Sequence, residues 1–384
     1  MIAIPPFARL LALTVLHFSA MAGLLLAGRW IREMGGSESV LGWFSASIVP
    51  GIVLGALLAG RLANRHGERP LLLVGLLLTA VTTGSLALFE QISWWFVPLR
   101  FGLGLGHGMA FTCLISLAAH TVPDHQKARG IGYVALCAQL GNFAGVALAE
   151  NLLQPQGFAW VFIGCALLSI TAGGVSATLA NRAERSAGNT AEAPGLIPTR
   201  AQIVISVAFF IVLGGTYGSV LQLIPLLVQD LPSKNGVAAH ATPVLAAVFF
   251  TVMVCRLLLA RLADSRFRRS VLTGSATLLV AATAGWPYAD SMAAMIAVAV
   301  FFALGYGMLF PGLNGLVLAS VSGAWRSRAS GWIVMAFDGG FFGLLLVFGP
   351  VAERWSYAVM FALLCLLQIV TAFAFMVMAR RMRA

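Results

Sequence analysis

Read for polarity alone, the chain alternates long apolar runs with short charged islands. Apolar runs begin near Leu10, Ser39, Pro70, Ser93, Gly130 and Gly157, and again near Ala201, Pro243, Val271, Met292, Ser330 and Tyr357. Each is long enough for a helix of ~20 residues, the length that crosses a hydrocarbon layer of ~30 Å. The pattern predicts an all-α polytopic membrane protein with twelve transmembrane helices, numbered 1 to 12 in chain order. One polar stretch stands apart: "NRAERSAGNTAEAPGLIPTR", residues 181–200, rich in Ala, Gly, Pro and charge, at the midpoint of the chain. It predicts a linker between a six-helix bundle over 1–180 and a second over 201–384.

Composition removes the soluble alternatives. Of 384 residues, 60% are hydrophobic and 10% charged, against about 25% charged in a soluble domain; mean hydropathy is +0.92. The net charge of +11 does not point to nucleic acid, because the basic residues fall in short clusters between apolar runs, as the positive-inside rule requires of cytoplasmic loops. Placing Arg9 inside also puts Arg61, Arg65, Arg69, Lys127, Arg129, Arg182, Arg185 and Arg200 there. In the second half Arg261, Arg266, Arg268, Arg269, Arg326, Arg328, Arg380, Arg381 and Arg383 join them. Only Arg29, Arg32, Lys234 and Arg354 fall opposite. Both termini are therefore expected in the cytoplasm. The first apolar run lacks a small-residue cleavage site and reads as a retained span. Five cysteines lie inside apolar runs without Cys-x-x-Cys or Cys/His pairing, so they read as small buried residues, with no metal expected.

The halves repeat one another. Arg61-Leu62-Ala63-Asn64 matches Arg261-Leu262-Ala263-Asp264. "LGHGM" (Leu105 to Met109) in helix 4 matches "LGYGM" (Leu304 to Met308) in helix 10, and "FAWVF" (Phe158 to Phe162) in helix 6 matches "YAVMF" (Tyr357 to Phe361) in helix 12. Parallel six-helix repeats mark a transporter class whose substrate site lies near the midplane between the halves.

These residues resemble the major facilitator superfamily. "GRLANRHGERP", Gly60 to Pro70, is similar to that family's loop 2–3 signature, Gly-x-Leu-Ala-Asp-Arg-x-Gly-Arg-Arg/Lys, through Gly60, Leu62, Ala63, Arg65, Gly67 and Arg69. Asn64 stands for the usual Asp and Glu68 for a usual basic residue. The second copy keeps the acid as Asp264 but has Phe267 for the glycine. The resemblance implies a cytoplasmic gate that latches the halves, made here by Gly60, Arg61, Asn64, Arg65, Gly67 and Arg69 with Arg261, Asp264 and Arg268. Asp264 would face the start of helix 5 and Asn64 the start of helix 11. A carboxylate near a helix N-terminus is favoured by about 0.3–1 kcal/mol, so one latch is expected to be strong and the other weak. The alternative is that these clusters only set topology.

Helix 4 holds "RFGLGLGHGM". Arg100 lies ~11 Å inside the outer boundary, where its charge costs about 2.5–3.5 kcal/mol and calls for a cavity or a partner. Arg100 and Gly104 fit the family's helix 4 motif, Arg-x-x-Gln-Gly, with Leu103 in place of Gln; the resemblance ties this arginine to proton coupling. The alternating glycines of this helix read as small-xxx-small packing surfaces. In helix 5, Gly132, Gly141 and Gly145 fit the start of the family's antiporter motif, while Val146 and Ala149-Glu150 depart from its continuation. The resemblance implies export by antiport; helix packing by glycines is the other reading.

Asp338 in "MAFDGGFFG" is the acid placed deepest in a span, ~12 Å into helix 11. Burying a carboxylate penalises its charge unless a cation compensates, so Asp338 is a candidate proton carrier; a structural hydrogen bond to helix 2 is the alternative. His17 lies ~14 Å from the inner boundary, and His107 and Tyr306 sit at matching depths in helices 4 and 10. Gln139, Asn142, Tyr217 and Asn314 add polar atoms. The resemblance implies that helices 1, 4, 7 and 10 line the cavity, which makes these seven a candidate substrate site.

The expectation is a secondary transporter of a small organic solute in a bacterial inner membrane. It would work as a monomer by alternating access, exporting against inward proton flow. Proton-linked or uniport uptake of a metabolite is the alternative, and a non-transporting sensor or scaffold is a third. No phosphate-binding loop, nucleophile–base pair or metal cluster is readable, so neither cofactor nor enzyme activity is expected.

Overall fold

The structure is a computed structural model and describes residues 6–122, 127–179, 199–231, 240–259, 268–320 and 323–381. Every regular element among the described residues is helical. Lipid offers no partners to backbone amides and carbonyls, so a spanning segment must satisfy them within itself. α1 runs Pro6–Ala22, continues through a 3-10 turn at Gly23–Leu26, and ends as Ala27–Glu33. α2 consists of Glu38–Ala46 and Val49–His66. α3 is Glu68–Ser85, α4 Phe96–Thr121, α5 Lys127–Gln156 and α6 Phe158–Ala177. α7 is Arg200–Gln229, and α8 is Thr242–Val254 followed by a π-helical turn at Cys255–Leu259. α9 is Arg268–Gly285, α10 Met292–Ser320, α11 Gly323–Gly343 with Leu345–Arg354, and α12 Tyr357–Arg381.

Among the described residues, ten spans are long and apolar enough to cross a membrane, and Thr242–Leu257 is a shorter apolar helix. The chain is thus a multi-pass membrane protein. Several helices begin before their apolar runs. α11 starts at Gly323, seven residues ahead of Ser330, and α5 starts at Lys127. Hydropathy reports where lipid begins, and a helix continues into water wherever its backbone remains bonded.

Local signals set other boundaries. α7 opens with a capping box: Thr199 Oγ1 accepts from the Gln202 amide at 3.3 Å, and Gln202 Oε1 accepts from the Thr199 amide at 2.7 Å. Such reciprocal caps satisfy two otherwise orphaned donors. Gly67 ends α2 with φ +82° while its amide donates to the Ala63 carbonyl at 2.8 Å. That left-handed conformation favours glycine, so Gly67 has a local reason to stand in "GRLANRHGERP".

The helices fall into two compact units, Met1–Gly36 with Ser47–Ala187 and Ser37–Ala46 with Gly188–Ala384. In the first, α1 packs on α5, and α4 packs on α2 and α3. In the second, α7 packs on α11, and α10 on α8 and α9. The same pairs therefore recur six helices later. The opening segment of α2 counts with the second unit, where the Ser39 hydroxyl donates to Glu353 and the Tyr357 hydroxyl donates to Glu38 Oε1 at 2.7 Å.

Candidate functional site

In the first unit the polar candidates meet between α1 and α4. His17 Nε2 and His107 Nδ1 are 3.0 Å apart, and the rings stack with centroids 5.1 Å apart and planes at 14°. Phe111, one turn along α4, stacks on His107 at 5.9 Å, and Phe18 meets both imidazoles edge-on. Both histidines are buried. One ring nitrogen must donate and the other accept, so the tautomers are linked. His17 Nδ1 makes no hydrogen bond among the described residues. Arg100, two turns before His107 on α4, is buried and close enough to act on it electrostatically. Gln139 is buried, and Asn142 is half-buried.

The histidine pair can be weighed directly. His107→Phe should keep the aromatic stack but strand His17 Nε2, costing about 1–3 kcal/mol. The double variant His17→Phe/His107→Phe should recover most of that loss. Thermal unfolding of the four proteins in detergent measures the coupling; additive losses would mean that the hydrogen bond contributes nothing.

The second unit carries a counterpart between α7 and α10. Tyr217 and Tyr306 stack at 3.9 Å and 7°, and both are buried. His107 and Tyr306 are the differing residues of the matched "LGHGM" and "LGYGM". Their stacking partners, His17 and Tyr217, lie on the first helix of each unit. The repeat thus preserves an aromatic stack while its chemistry changes from imidazole to phenol. Around it lie Phe302 at 6.2 Å from Tyr217 and Phe310 and Phe337 each at 6.1 Å from Tyr306.

Two charged groups act on Tyr306. Arg256, in the π turn of α8, is a hydrogen-bond partner of its phenol, and Asp338 of α11 acts on it electrostatically. Asp338 is half-buried and has no hydrogen bond or ion pair among the described residues. Arg256 is absent from the sequence-derived candidates, although the reasoning applied to Arg100 fits it equally: it is a lone guanidinium in the apolar run "VMVCRLLLA". Also unforeseen is the pairing of Arg29 with buried Glu150 at 3.4 Å, which ties α1 to α5.

The remaining candidates are scattered or outside view. Gly60, Arg61 and Arg65 are exposed along the end of α2. Arg69 donates to the Ala177 carbonyl, fastening α3 to the end of α6. Glu68 is buried and accepts from the Ser116 hydroxyl at 2.8 Å. Arg261 and Asp264 lie outside the described residues, as do the side chains of Asn64, Arg268 and Asn314. Gly141 and Gly145 face the α1 backbone around Val15 and Ser19, whereas Gly132 faces open space. Among the described residues no cluster of three or more metal-ligating side chains occurs.

Two helical units with the same internal pairing, and charges held within apolar helices, define a polytopic membrane protein of the transporter type. The chain belongs to the Major Facilitator Superfamily, whose family model matches residues 10–344. It is a family of transporters rather than enzymes. An Arabidopsis thaliana chloroplast protein named as an anion transporter is 27% identical over 139 residues, 36% of this chain and 27% of that protein. A Lactococcus lactis homolog of the multidrug resistance efflux pump PmrA is 28% identical over 145 residues, 37% of this chain and 36% of its own length. The matched segments thus span only about a quarter to a third of these relatives. The crystal structure of the nucleoside transporter NupG superposes with a TM-score of 0.79 at 15% identity, over 98% of this chain and 99% of that one. At that identity the likeness concerns the fold.

Proposed function

We propose that the protein is a proton-coupled secondary transporter that exports a small organic solute across a bacterial inner membrane, as a monomer with both termini in the cytoplasm. The observation that carries this reading is Asp338. It is a half-buried carboxylate within an apolar helix, without a hydrogen bond or ion pair among the described residues. An ionisable group in that setting is functional by default. A carboxylate that is not tied to a cation is free to exchange a proton. Arg100, near the linked histidines, is the second coupling candidate. We assign alternating access to rocking of the bundle over 1–180 against that over 201–384, joined by the linker 181–200, with the loop of Gly60 to Arg69 and its copy at Arg261, Asp264 and Arg268 as the gate.

Export in exchange for protons draws support from the multidrug relatives. The helix 5 glycines add little, because Gly141 and Gly145 have a packing role against α1 and the same packing recurs between α7 and α11. That observation favours keeping proton-linked uptake as a second reading. The deciding experiment uses purified protein in liposomes loaded with a pH-reporting dye. A solute found by thermal-shift screening of a metabolite and drug panel should move faster under a pH gradient and drive opposite proton movement. Proton movement in the same direction as the solute would establish uptake by symport. Binding with no flux of either would leave only a sensor.

A further inference from the structure

We infer that the second unit holds a site for a zwitterionic solute with an apolar body, its carboxylate on Arg256 and its ammonium on Asp338, both beside Tyr306. The inference rests on the transporter reading and names the class of its cargo. Three helices supply the polar groups: α8 gives Arg256, α10 gives Tyr306 and α11 gives Asp338. A charged side chain in an apolar helix is costly unless it is paired or faces a cavity. Two opposite charges would cancel that cost most simply by pairing, yet Asp338 forms no ion pair among the described residues. Instead both act on Tyr306, Arg256 by a hydrogen bond and Asp338 through space. Opposite charges that meet at one phenol without pairing with each other match a ligand carrying opposite charges of its own.

The surroundings extend the match. Arg256 lies in a π-helical turn, a distortion frequent at functional sites. Phe310, Phe337 and Phe341 are half-buried and contiguous, with Phe310 to Phe337 at 4.9 Å and Phe337 to Phe341 at 6.3 Å. They offer ring surface beside Asp338, whereas Tyr217 and Tyr306 are buried against each other and form the wall behind. Tyr306 is a positioning residue that orients the guanidinium. The arrangement also fits exchange: at Asp338 a substrate ammonium and a proton exclude one another.

Three probes sharing one benzyl frame separate the charges: L-phenylalanine carries both, phenethylamine only the ammonium, and 3-phenylpropionate only the carboxylate. Binding is read as thermal stabilisation of the full chain in detergent, without a gradient. Wild type should respond to L-phenylalanine at concentrations roughly ten-fold below either single-charge probe, the discrimination that about 1.4 kcal/mol supplies. Arg256→Gln should erase the preference over phenethylamine and Arg256→Lys should restore part of it. Tyr306→Phe should weaken that same preference alone. Asp338→Asn should erase the preference over 3-phenylpropionate. Equal response of wild type to all three probes, or to none, overturns the inference, as does an Arg256→Gln protein with unchanged selectivity. Proton-linked flux of another solute without these preferences would leave the transporter reading standing and remove the cargo assignment. Zwitterion-selective binding without any flux would do the reverse.

Discussion

Replacing Asp338 with asparagine should abolish proton-driven transport, while solute exchange persists at raised solute concentration. Asparagine keeps the size and the hydrogen-bonding oxygen but cannot bind or release a proton near neutral pH. A gradient of one pH unit stores about 1.4 kcal/mol per proton. If one proton moves per solute, it sustains a concentration ratio of about ten across the membrane. In Asp338→Asn that ratio should fall to about one, because nothing links the two fluxes. Counterflow of labelled against unlabelled solute, which needs no protons, should persist at saturating solute, because alternating access does not require the carboxylate to titrate even where the loss of its charge weakens binding. Asp338→Glu should restore coupling in part. An asparagine variant that still concentrates solute ten-fold under the gradient would remove Asp338 from the coupling path and shift attention to Arg100 and the histidine pair.

Much of the architecture was readable because the bilayer imposes a single demand, a long apolar run with internally satisfied backbone. The helix starts at Met292 and Tyr357 coincide with the polarity pattern, while those at Lys127 and Gly323 precede it because polar residues extend a helix without signalling lipid. The repeat was legible at His107 and Tyr306, which stand in matched words of sequence. The stack each makes was not. His17 and Tyr217 have dissimilar neighbours, and only the packing of α1 on α4 and of α7 on α10 brings each pair together. Arg256 was as legible as Arg100, a single guanidinium inside an apolar run, but its place beside Tyr306 depends on the packing of α8 on α10, which no motif announces. The Arg29–Glu150 pair needed the adjacency of α1 and α5, which charge patterning along a chain does not encode.

The helix 5 glycines should divide into two kinds. Gly145→Ala should cost about 1–3 kcal/mol, the usual range for overpacking a close contact. A methyl there would fall inside van der Waals distance of the Ser19 backbone on α1, and backbone cannot yield by changing rotamer. α1 and α5 would have to separate, weakening the hydrogen bond from the Ser19 hydroxyl to the Gly141 carbonyl, now 3.0 Å. Gly218→Ala should be equally costly, since its methyl would meet the Phe341 backbone of α11. Gly132→Ala should leave stability unchanged or raise it slightly, because nothing lies within 4 Å of a methyl at that position and alanine is the better helix former. Thermal unfolding in detergent reads all three. The contrast also separates packing from function. If Gly132→Ala folds normally and loses transport, the spacing of Gly132 with Gly141 and Gly145 serves the transport cycle. If it transports normally, the motif on this chain reduces to the close approach of α5 to α1.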